Sequence, residues 1–358
     1  MTIQKTISPV DGSVYCEREL ATDAAIDTAL TQAREAQQRW RLTPVAERAR
    51  VCLSFCGNFE AETREIATEL TWQMGRPIRY APNEVRGTLE RARHMIAIAG
   101  DALADIDVGP KEGFQRFLRR EPLGVVFTIA AWNYPYLIAV NSVIPALMAG
   151  NAVLLKHSAQ TPLCAERFEN CLRAAGLPDG LFRVLQLSHE QTSRLIRDPR
   201  VDFVAFTGSV DGGRAVQRAA AERFIGVGLE LGGCDPAYVR EDADLPHAIE
   251  NLVDGAFFNS GQSCCGIQRI YVHRRVYEKF VAGAVELTRR YVLGNPTDPE
   301  TTLGPVVRTA AARQIRAQIA ASIAAGARAA IDEREFRASD AATPYLAPQI
   351  LLDVNHSM

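Results

Sequence analysis

The chain has 358 residues, of which 47% are hydrophobic and 23% charged, so it is long enough for a large core and for two domains. Its formal net charge is -2 and it has no basic stripe, which argues against nucleic acid or an anionic membrane as a partner. The N-terminus MTIQKTISPVDG lacks the charged start and apolar stretch of a secretion signal, and no run has the length of a membrane helix. We expect a cytoplasmic globular protein that acts on small molecules.

The N-terminal part of the chain has a helical pattern. Residues 23–98 are rich in Ala, Arg, Glu and Leu, which predicts a helical N-terminal layer. Pro44 stands near a predicted helix start, while Gly75, Pro77 and Pro82 mark predicted breaks.

Short apolar runs alternate with helical segments after residue 113. The segment FQRFLRREPLGVVFTIAAWNYP predicts a strand pair that ends in a turn. The runs that follow, separated by helical segments, imply a parallel sheet with right-handed crossovers, in which ligands bind beyond the carboxyl ends of the strands. These runs are NAVLLK, FRVLQL, DFVAFTG and GVGLELGG. The polar residues expected at that edge are Asn133, Lys156, Gly208, Ser209 and Glu230.

The eight cysteines have neither the density nor the pairing of a disulfide framework, and no CxxC pair for zinc is present. Cys52 and Cys56 lie one helical turn apart with no histidine nearby, which favours core packing over a metal site. Cys264 and Cys265 are adjacent in NSGQSCCG, a polar stretch flanked by glycine. Either thiol can be an inert core residue, the usual state of a free cysteine, or a nucleophile.

Five motifs in sequence order resemble those of the aldehyde dehydrogenase superfamily, and the resemblance runs from about Ile7 to the last residue. It implies an α/β fold with a parallel-sheet dinucleotide-binding domain over residues 1–232 and an α/β catalytic domain over residues 233–358, incomplete at its C-terminus. Strands near residues 104–122 would bridge the subunits of a homodimer or homotetramer. The motifs are AWNYP (131–135), LLKHSAQTP (154–162), FTGSV (206–210), LELGG (229–233) and GQSCC (261–265).

The resemblance implies oxidation of an aldehyde to a carboxylic acid. Cys264 would form a thiohemiacetal and then a thioester, and the side-chain N–H of Asn133 with the backbone N–H of Cys264 would bind the oxyanion. Glu230 would activate the water that hydrolyses the thioester, which favours hydrolysis over transfer to coenzyme A. Exposure to solvent and backbone N–H groups is expected to lower the pKa of Cys264. A carboxylate among the apolar neighbours of Glu230 is costly unless the residue lies at the surface of an edge strand or has a function. Burial would raise its pKa toward neutrality, which suits a general base. Cys265 is expected to pack.

The resemblance also implies NAD or NADP as cofactor, although the chain has no GxGxxG run. Lys156 would contact the adenosine ribose, and Gly208 and Ser209 would begin a helix whose N–H groups bind pyrophosphate; the alternative for Gly208 is a loop glycine. Many NAD-preferring relatives have glutamate at the position of Ala159, so NADP should be tolerated, with His157 a candidate cation for its 2'-phosphate. The other expected cofactor contacts are Trp132, Ser158 and Leu231.

The substrate is expected to be an aliphatic aldehyde or a semialdehyde. Tyr134, Leu137 and Asn141 would line a mixed entrance that selects for no clear substrate. Arg86 and Arg91 either recognise an acidic substrate or are solvated on a helix.

The sequence stops at DVNHSM, before the EExFGP motif in which relatives carry a glutamate that holds the nicotinamide ribose. The resemblance implies that on the order of a hundred further residues complete the domain. We expect the 358-residue form to bind dinucleotide weakly, turn over slowly and form no uniform oligomer. The alternative function is a catalytically silent dinucleotide-binding or structural protein of the same fold, and NADH production with a simple aldehyde separates the two.

Overall fold

The computed structural model describes residues 2–358, which divide into two compact units. The first unit contains Glu17–Ile66 and Pro82–Leu231 together with the chain up to Lys5. The second contains Thr6–Cys16, Ala67–Ala81 and Gly232–Met358. The predicted roles of the two domains, divided at residues 232 and 233, stay predictions.

The helices and strands follow one another in the order expected of an α/β protein. The helices are α1 Asp23–Trp40, α2 Val45–Ala61, α3 Thr63–Met74, α4 Ala81–Ala102, α5 Pro135–Met148, α6 Pro162–Ala174, α7 His189–Arg197, α8 Val210–Ala220, α9 Leu245–Phe257, α10 Tyr277–Arg289 and α11 Thr309–Ala324, with 3-10 turns at Phe258–Gly261 and Glu333–Glu335. The strands are β1 Ile3–Ile7, β2 Val14–Glu19, β3 Ile106–Asp107, β4 Phe117–Leu118, β5 Val125–Ala130, β6 Ala152–His157, β7 Phe182–Val184, β8 Phe203–Thr207, β9 Gly226–Glu230, β10 Asp235–Val239, β11 Ile267–Val272, β12 Arg328–Ala329 and β13 Leu351–Leu352.

The predicted N-terminal helices are confirmed, since α1 to α4 occupy most of residues 23–98. Thr22 caps α1 by accepting a hydrogen bond from the backbone N–H of Ala25 at 3.1 Å. Gly75 and Pro77 lie in the break between α3 and α4. Pro82 instead lies in the first turn of α4, where its missing N–H costs no helical hydrogen bond.

The first unit is built on a five-stranded sheet in the order β7-β6-β5-β8-β9, and every neighbouring pair is parallel. The predicted parallel sheet is therefore confirmed. All residues of the central strand β5 are buried, as expected for a strand covered on both faces. An aromatic cluster holds α2, α5 and α6 against one another, and it consists of the rings of Phe55, Phe59, Tyr136 and Phe168.

The predicted strand pair within residues 114–135 is wrong. Phe117–Leu118 pairs with Ile106–Asp107 in an exposed antiparallel hairpin, whereas Val125–Ala130 enters the buried sheet. The arginines of FLRREP and the glycine at 124, which has a φ of 130°, separate the two strands. A charged segment cannot continue into a sheet whose strand is buried on both faces, so the chain changes sheets here.

The second unit contains a parallel pair, β10 and β11; α9 packs against β11, and α10 packs against α9. Val239, Val253, Phe280 and Ala284 form its buried cluster. None of the helices within residues 2–358 is long and apolar enough to cross a membrane.

Candidate active site

The carboxyl ends of β5, β6, β8 and β9 lie at one edge of the first unit's sheet because these strands are parallel. Lys156 is paired with Ile129 and Glu230 with Thr207 in the strand register. All the residues predicted for the site except Cys264 lie in this unit, at or just after these strand ends: Trp132, Asn133, Lys156, Ser158, Ala159, Gly208, Ser209, Glu230 and Leu231. The predicted site residues of the first unit therefore lie along one edge of the sheet.

Asn133 lies in the turn between β5 and α5, and this turn is held by a carboxylate from another helix. Oε1 of Glu84, which is buried on α4, accepts hydrogen bonds from the backbone N–H of Tyr136 at 2.9 Å and of Leu137 at 3.3 Å. These N–H groups belong to the first turn of α5, where the helix dipole favours negative charge. Glu84 was missed from the sequence, because its acceptor role depends on a helix about fifty residues away.

The end of β6 is organised by His157, which is only 1% exposed. Its Nε2 lies 3.1 Å from the carbonyl oxygen of Pro135, and its Nδ1 lies 3.0 Å from the backbone nitrogen of Ser158 and 3.0 Å from Oγ1 of Thr161. Burial lowers the pKa of His157 to about 4, and the nearby Lys156 adds to the shift. The ring is neutral, so His157 supplies no cation for a 2'-phosphate, and that expectation was wrong.

His157 should make the protein acid-sensitive. A histidine has an unfolded pKa of about 6.5, so the folded value of about 4 means that the unfolded chain binds the proton more tightly. The stabilisation is complete above about pH 6.5 and is lost as the pH falls toward 4, by about 3 kcal/mol in total. Urea unfolding at several pH values should show this loss. Replacing His157 by Gln should flatten the profile in this range, whereas replacing the exposed His94 by Gln should not; identical profiles for the two variants would contradict this assignment.

Lys156 precedes His157 and is half-buried at the same edge. Burial lowers the pKa of Lys156. Within residues 2–358 its ammonium has no hydrogen-bond acceptor and no ion-pair partner. An ammonium that is partly desolvated without a partner is costly, so a polar ligand at this position would stabilise it. Ala159, three residues after Lys156, is exposed, so its small side chain does not block access to this position.

Gly208 and Ser209 lie at the start of α8, as predicted. Oγ of Ser209 caps the helix by accepting from the backbone N–H of Gly212 at 3.1 Å. The backbone N–H of Gly208 donates to the carbonyl oxygen of Glu230 at 3.0 Å. A Cβ at position 208 would lie 2.6 Å from Cζ of Phe206, the far end of a side chain, so the packing leaves the alternative of a loop glycine open.

Of the alternatives that the sequence left open for Glu230, the structure shows a surface residue on an edge strand. The residue ends β9, which is an edge strand of the sheet, and its side chain is exposed. Along β9 the exposure alternates, so the apolar neighbours in the sequence point to the opposite face. Within residues 2–358 its carboxylate has no hydrogen bond or ion pair, and it is free to take part in chemistry.

In the second unit, the stretch NSGQSCCG begins with three consecutive residues in the left-handed region: Asn259 (φ 55°), Ser260 (φ 57°) and Gly261 (φ 72°). The region favours glycine and tolerates asparagine, so Ser260 is the strained position. Asn259 is 7% exposed, and its Oδ1 accepts from Nε of Arg76, which is 3% exposed, at 3.1 Å. Hydrogen bonds to buried groups thus stabilise the unusual backbone.

Gln262 holds the next part of this turn from both ends of its side chain. Its Nε2 donates to the carbonyl oxygen of Asn259 at 3.1 Å, and its Oε1 accepts from the backbone N–H of Val307 at 2.7 Å. Oγ of Ser260 donates to the carbonyl oxygen of Gly304 at 2.9 Å. The backbone that leads to Cys264 is therefore fixed by side-chain hydrogen bonds to a segment some forty residues later.

Cys264 and Cys265 are both exposed residues, which excludes inert core packing of Cys264 and shows that the expected packing of Cys265 is wrong. Partial desolvation raises the pKa of Cys264, and the adjacent Cys265 thiol raises it further. The expected lowering of this pKa is wrong, so the Cys264 thiol needs a base to remove its proton when it attacks. By contrast, Cys52 and Cys56 are buried as predicted, and burial raises the pKa of Cys52 to about 12.

Gly233 passes very close to the backbone of Cys264. A Cβ at position 233 would lie 2.3 Å from the carbonyl oxygen of Cys264, a distance that backbone atoms can relieve only by moving. The second glycine of LELGG is therefore explained by the path of the cysteine turn. Gly232, its neighbour, has nothing within 4 Å of the corresponding position.

Replacing Gly233 by Ala should displace the cysteine turn. We expect a loss of about 1–3 kcal/mol in the free energy of unfolding, the cost of forcing extra atoms into packed structure, and a changed rate of Cys264 alkylation by iodoacetamide. Denaturant unfolding and peptide mass spectrometry measure the two effects. Replacing Gly232 by Ala is the matched control and should change neither. Equal stability and equal Cys264 alkylation in both variants would show that the close approach has no consequence.

Comparison with known proteins identifies the family of the chain. The sequence matches the Aldehyde dehydrogenase family over residues 2–358. The chain belongs to the aldehyde dehydrogenase family.

Relatives of known name or structure agree with this aldehyde dehydrogenase assignment. The succinate-semialdehyde dehydrogenase [NADP(+)] of Mycobacterium avium (strain 104) is 35% identical over 325 residues, which is 90% of this chain and 69% of the relative. The structure of succinic semialdehyde dehydrogenase from Streptococcus pyogenes with NADP+ is 26% identical with a TM-score of 0.93, covering 99% of this chain and 77% of that one. The structure of NAD-dependent aldehyde dehydrogenase from Sinorhizobium meliloti is 30% identical with a TM-score of 0.91, covering 99% and 71%. As an aldehyde dehydrogenase, the protein is an oxidoreductase that oxidises aldehydes.

Proposed function

We propose that this aldehyde dehydrogenase oxidises an aldehyde with NAD or NADP through a thioester on Cys264, which water then hydrolyses. The observation that carries the proposal is the gathering of Asn133, Lys156 and Glu230 at one edge of a parallel sheet, in a chain whose cysteine turn exposes the Cys264 thiol. Parallel sheets of this kind bind ligands at the edge formed by the carboxyl ends of their strands.

Each step of the proposed reaction uses a named group. The Cys264 sulfur bonds to the aldehyde carbon as its proton passes to solvent water, which reaches this exposed residue, and the side-chain N–H of Asn133 donates to the oxyanion that forms. A dinucleotide held by Lys156 and the N-terminus of α8 would supply the acceptor for the hydride of that carbon. The exposed carboxylate of Glu230 then takes a proton from the water that cleaves the thioester, which releases the acid and restores the thiol.

The residues of the sheet edge fit a dinucleotide. Lys156 offers a cation without a protein partner, and the capped N-terminus of α8 offers N–H groups and a favourable dipole for pyrophosphate. Trp132, Ser158 and Leu231 follow the neighbouring strand ends and complete the proposed contacts. Ala159 is exposed, so no carboxylate at this position repels a 2'-phosphate.

We propose a semialdehyde of a short dicarboxylic acid as the substrate class. Support comes from the names of the relatives in Mycobacterium avium and Streptococcus pyogenes. Arg86 and Arg91 are both exposed on α4, and Arg86 donates to Oδ1 of Asn83. Their exposure keeps both roles open, as solvated residues or as contacts for the second carboxylate.

The test is a screen for NAD(P)H production with succinic semialdehyde, butanal and benzaldehyde, each with NAD+ and NADP+. We expect turnover with succinic semialdehyde. Ala159 places no carboxylate where it would repel the 2'-phosphate of NADP+, and it also adds no cation to bind that phosphate. We therefore expect the affinities for NADP+ and NAD+ in titration calorimetry to agree within about tenfold, or about 1.4 kcal/mol. Dinucleotide binding without turnover of any aldehyde would favour the catalytically silent alternative, and a hundredfold preference for NAD+ would contradict the role given to Ala159.

The division of labour within the chain is also a proposal. We propose that residues 1–232 bind the dinucleotide, that residues 233–358 supply the nucleophile, and that the hairpin of β3 and β4 joins subunits of a homodimer or homotetramer. Ile106, Phe114, Phe117 and Leu118 are exposed apolar residues on or beside this hairpin, which supports a role in association. Light scattering of a variant with aspartate at Phe117 and Leu118 tests it, since a partner surface should be lost.

A further inference from the structure

His157 joins two turns that carry different parts of the proposed reaction. One ring nitrogen contacts Pro135, two residues after Asn133, and the other contacts Ser158 and Thr161 in the turn that follows Lys156. The turns follow adjacent strands, and Ala130 is the strand partner of His157. We propose that His157 is a positioning residue that keeps the oxyanion-binding turn and the dinucleotide-binding turn in fixed register, an inference that rests on the proposed function.

The hydrogen-bond chemistry fixes the state of the ring. The Pro135 carbonyl can only accept, so Nε2 must carry the hydrogen and donate to it. Nδ1 is then an acceptor, which matches the N–H of Ser158 and the hydroxyl of Thr161. Thr161 is fully buried and Pro135 is buried, so neither contact can be replaced by bulk water. A single neutral tautomer therefore satisfies all the groups around the ring.

Glu84 accepts from backbone N–H groups at the start of α5, next to the Asn133 turn, and His157 adds contacts to both turns. Hydride transfer requires the oxyanion and the dinucleotide to be placed together, and a misplacement of about 1 Å can cost about a hundredfold in rate. Loss of the ring should thus affect both dinucleotide binding and the use of Asn133.

The first experiment compares His157→Leu, His157→Gln and Thr161→Val by amide hydrogen exchange of the protein alone. Leucine fills the space without hydrogen bonds, glutamine keeps a donor and an acceptor, and valine at 161 removes one contact on the dinucleotide side only. We expect His157→Leu to speed exchange in both residues 133–138 and residues 158–161, Thr161→Val to speed only the second segment, and His157→Gln to restore much of the protection. Unchanged exchange in residues 133–138 of His157→Leu would overturn the inference, whether or not the protein oxidises aldehydes.

The second experiment measures NADP+ affinity and the turnover of succinic semialdehyde. We expect His157→Leu to weaken NADP+ binding by about tenfold and to lower kcat by about 10- to 100-fold, with partial recovery in His157→Gln. In the parent, Asn133→Ala should lower kcat by about a hundredfold, and in His157→Leu the same change should cost much less because the amide is already misplaced. An equal cost of Asn133→Ala in both backgrounds would overturn a positioning role, whereas absent turnover in the parent would count against the proposed function alone.

Discussion

Replacing Cys264 by Ala should abolish aldehyde oxidation. The thiol makes the covalent bond to substrate, and removal of a covalent nucleophile lowers kcat by on the order of 10⁴-fold or more. Because the alanine removes only an exposed sulfur, we expect NADP+ affinity and the free energy of unfolding to stay near those of the parent. Steady-state NAD(P)H production, calorimetry and urea unfolding measure the three quantities.

The adjacent cysteine provides a matched control for this variant. Cys265 is also exposed, and its Sγ lies 3.3 Å from Oγ of Ser263. Cys265→Ala should retain near-parent turnover, as should a change of the exposed Cys234 to Ala. Turnover above background in Cys264→Ala, or its loss in Cys265→Ala, would move the nucleophile to another residue.

Replacing Glu230 by Gln should separate the two halves of the reaction. The amide cannot accept a proton from water, so hydrolysis of the thioester should slow by about 10²- to 10⁴-fold, the usual contribution of a general base. Formation of the thioester should continue, so rapid mixing should show a burst of NAD(P)H of about one equivalent, followed by slow turnover. Accumulated thioester should be visible by mass spectrometry of the intact protein.

The exposed Glu222 is a control, because Glu222→Gln changes the same charge elsewhere on the surface. It should leave both the burst and the steady state unchanged. The folded state gives the Glu230 carboxylate no partner within residues 2–358, so Glu230→Gln should shift the free energy of unfolding by less than about 0.5 kcal/mol. A uniformly slow reaction with no burst would instead assign Glu230 to activation of Cys264, whose pKa is raised and whose proton must leave.

Much of the fold follows from local sequence patterns. The helical pattern of residues 23–98, rich in Ala, Arg, Glu and Leu, predicted the helical layer that α1 to α4 form, and the short apolar runs predicted β6 to β9, because helix propensity and apolar character are local properties of the sequence. The mistake at residues 114–135 has a physical reason. Phe117 and Val125 both belong to strands, yet pairing joins each to residues outside the segment, and pairing partners are not encoded in a strand's own composition.

The exposure of individual side chains was less predictable than the strands that carry them. The apolar neighbours of Glu230 left open both burial and an exposed place on an edge strand, and the structure shows the second, since β9 is an edge strand whose alternate residues face solvent. The expected pKa of Cys264 had the wrong direction, since the balance between desolvation and N–H groups depends on how the turn folds. Strand order and loop conformation decided both.

The sequence by itself determined the family, the parallel sheet and the identity of the proposed reacting groups, because these depend on residue types at fixed spacing. Only the tertiary structure decided what holds those groups. Arg76 bonds to Asn259, Glu84 to the start of α5, and His157 to two turns at once. These partners lie far apart in sequence or on different strands and helices, and their side-chain types are common on ordinary surfaces. Their hydrogen bonds form only when packing has removed water from the groups involved, and that removal is a property of the folded chain.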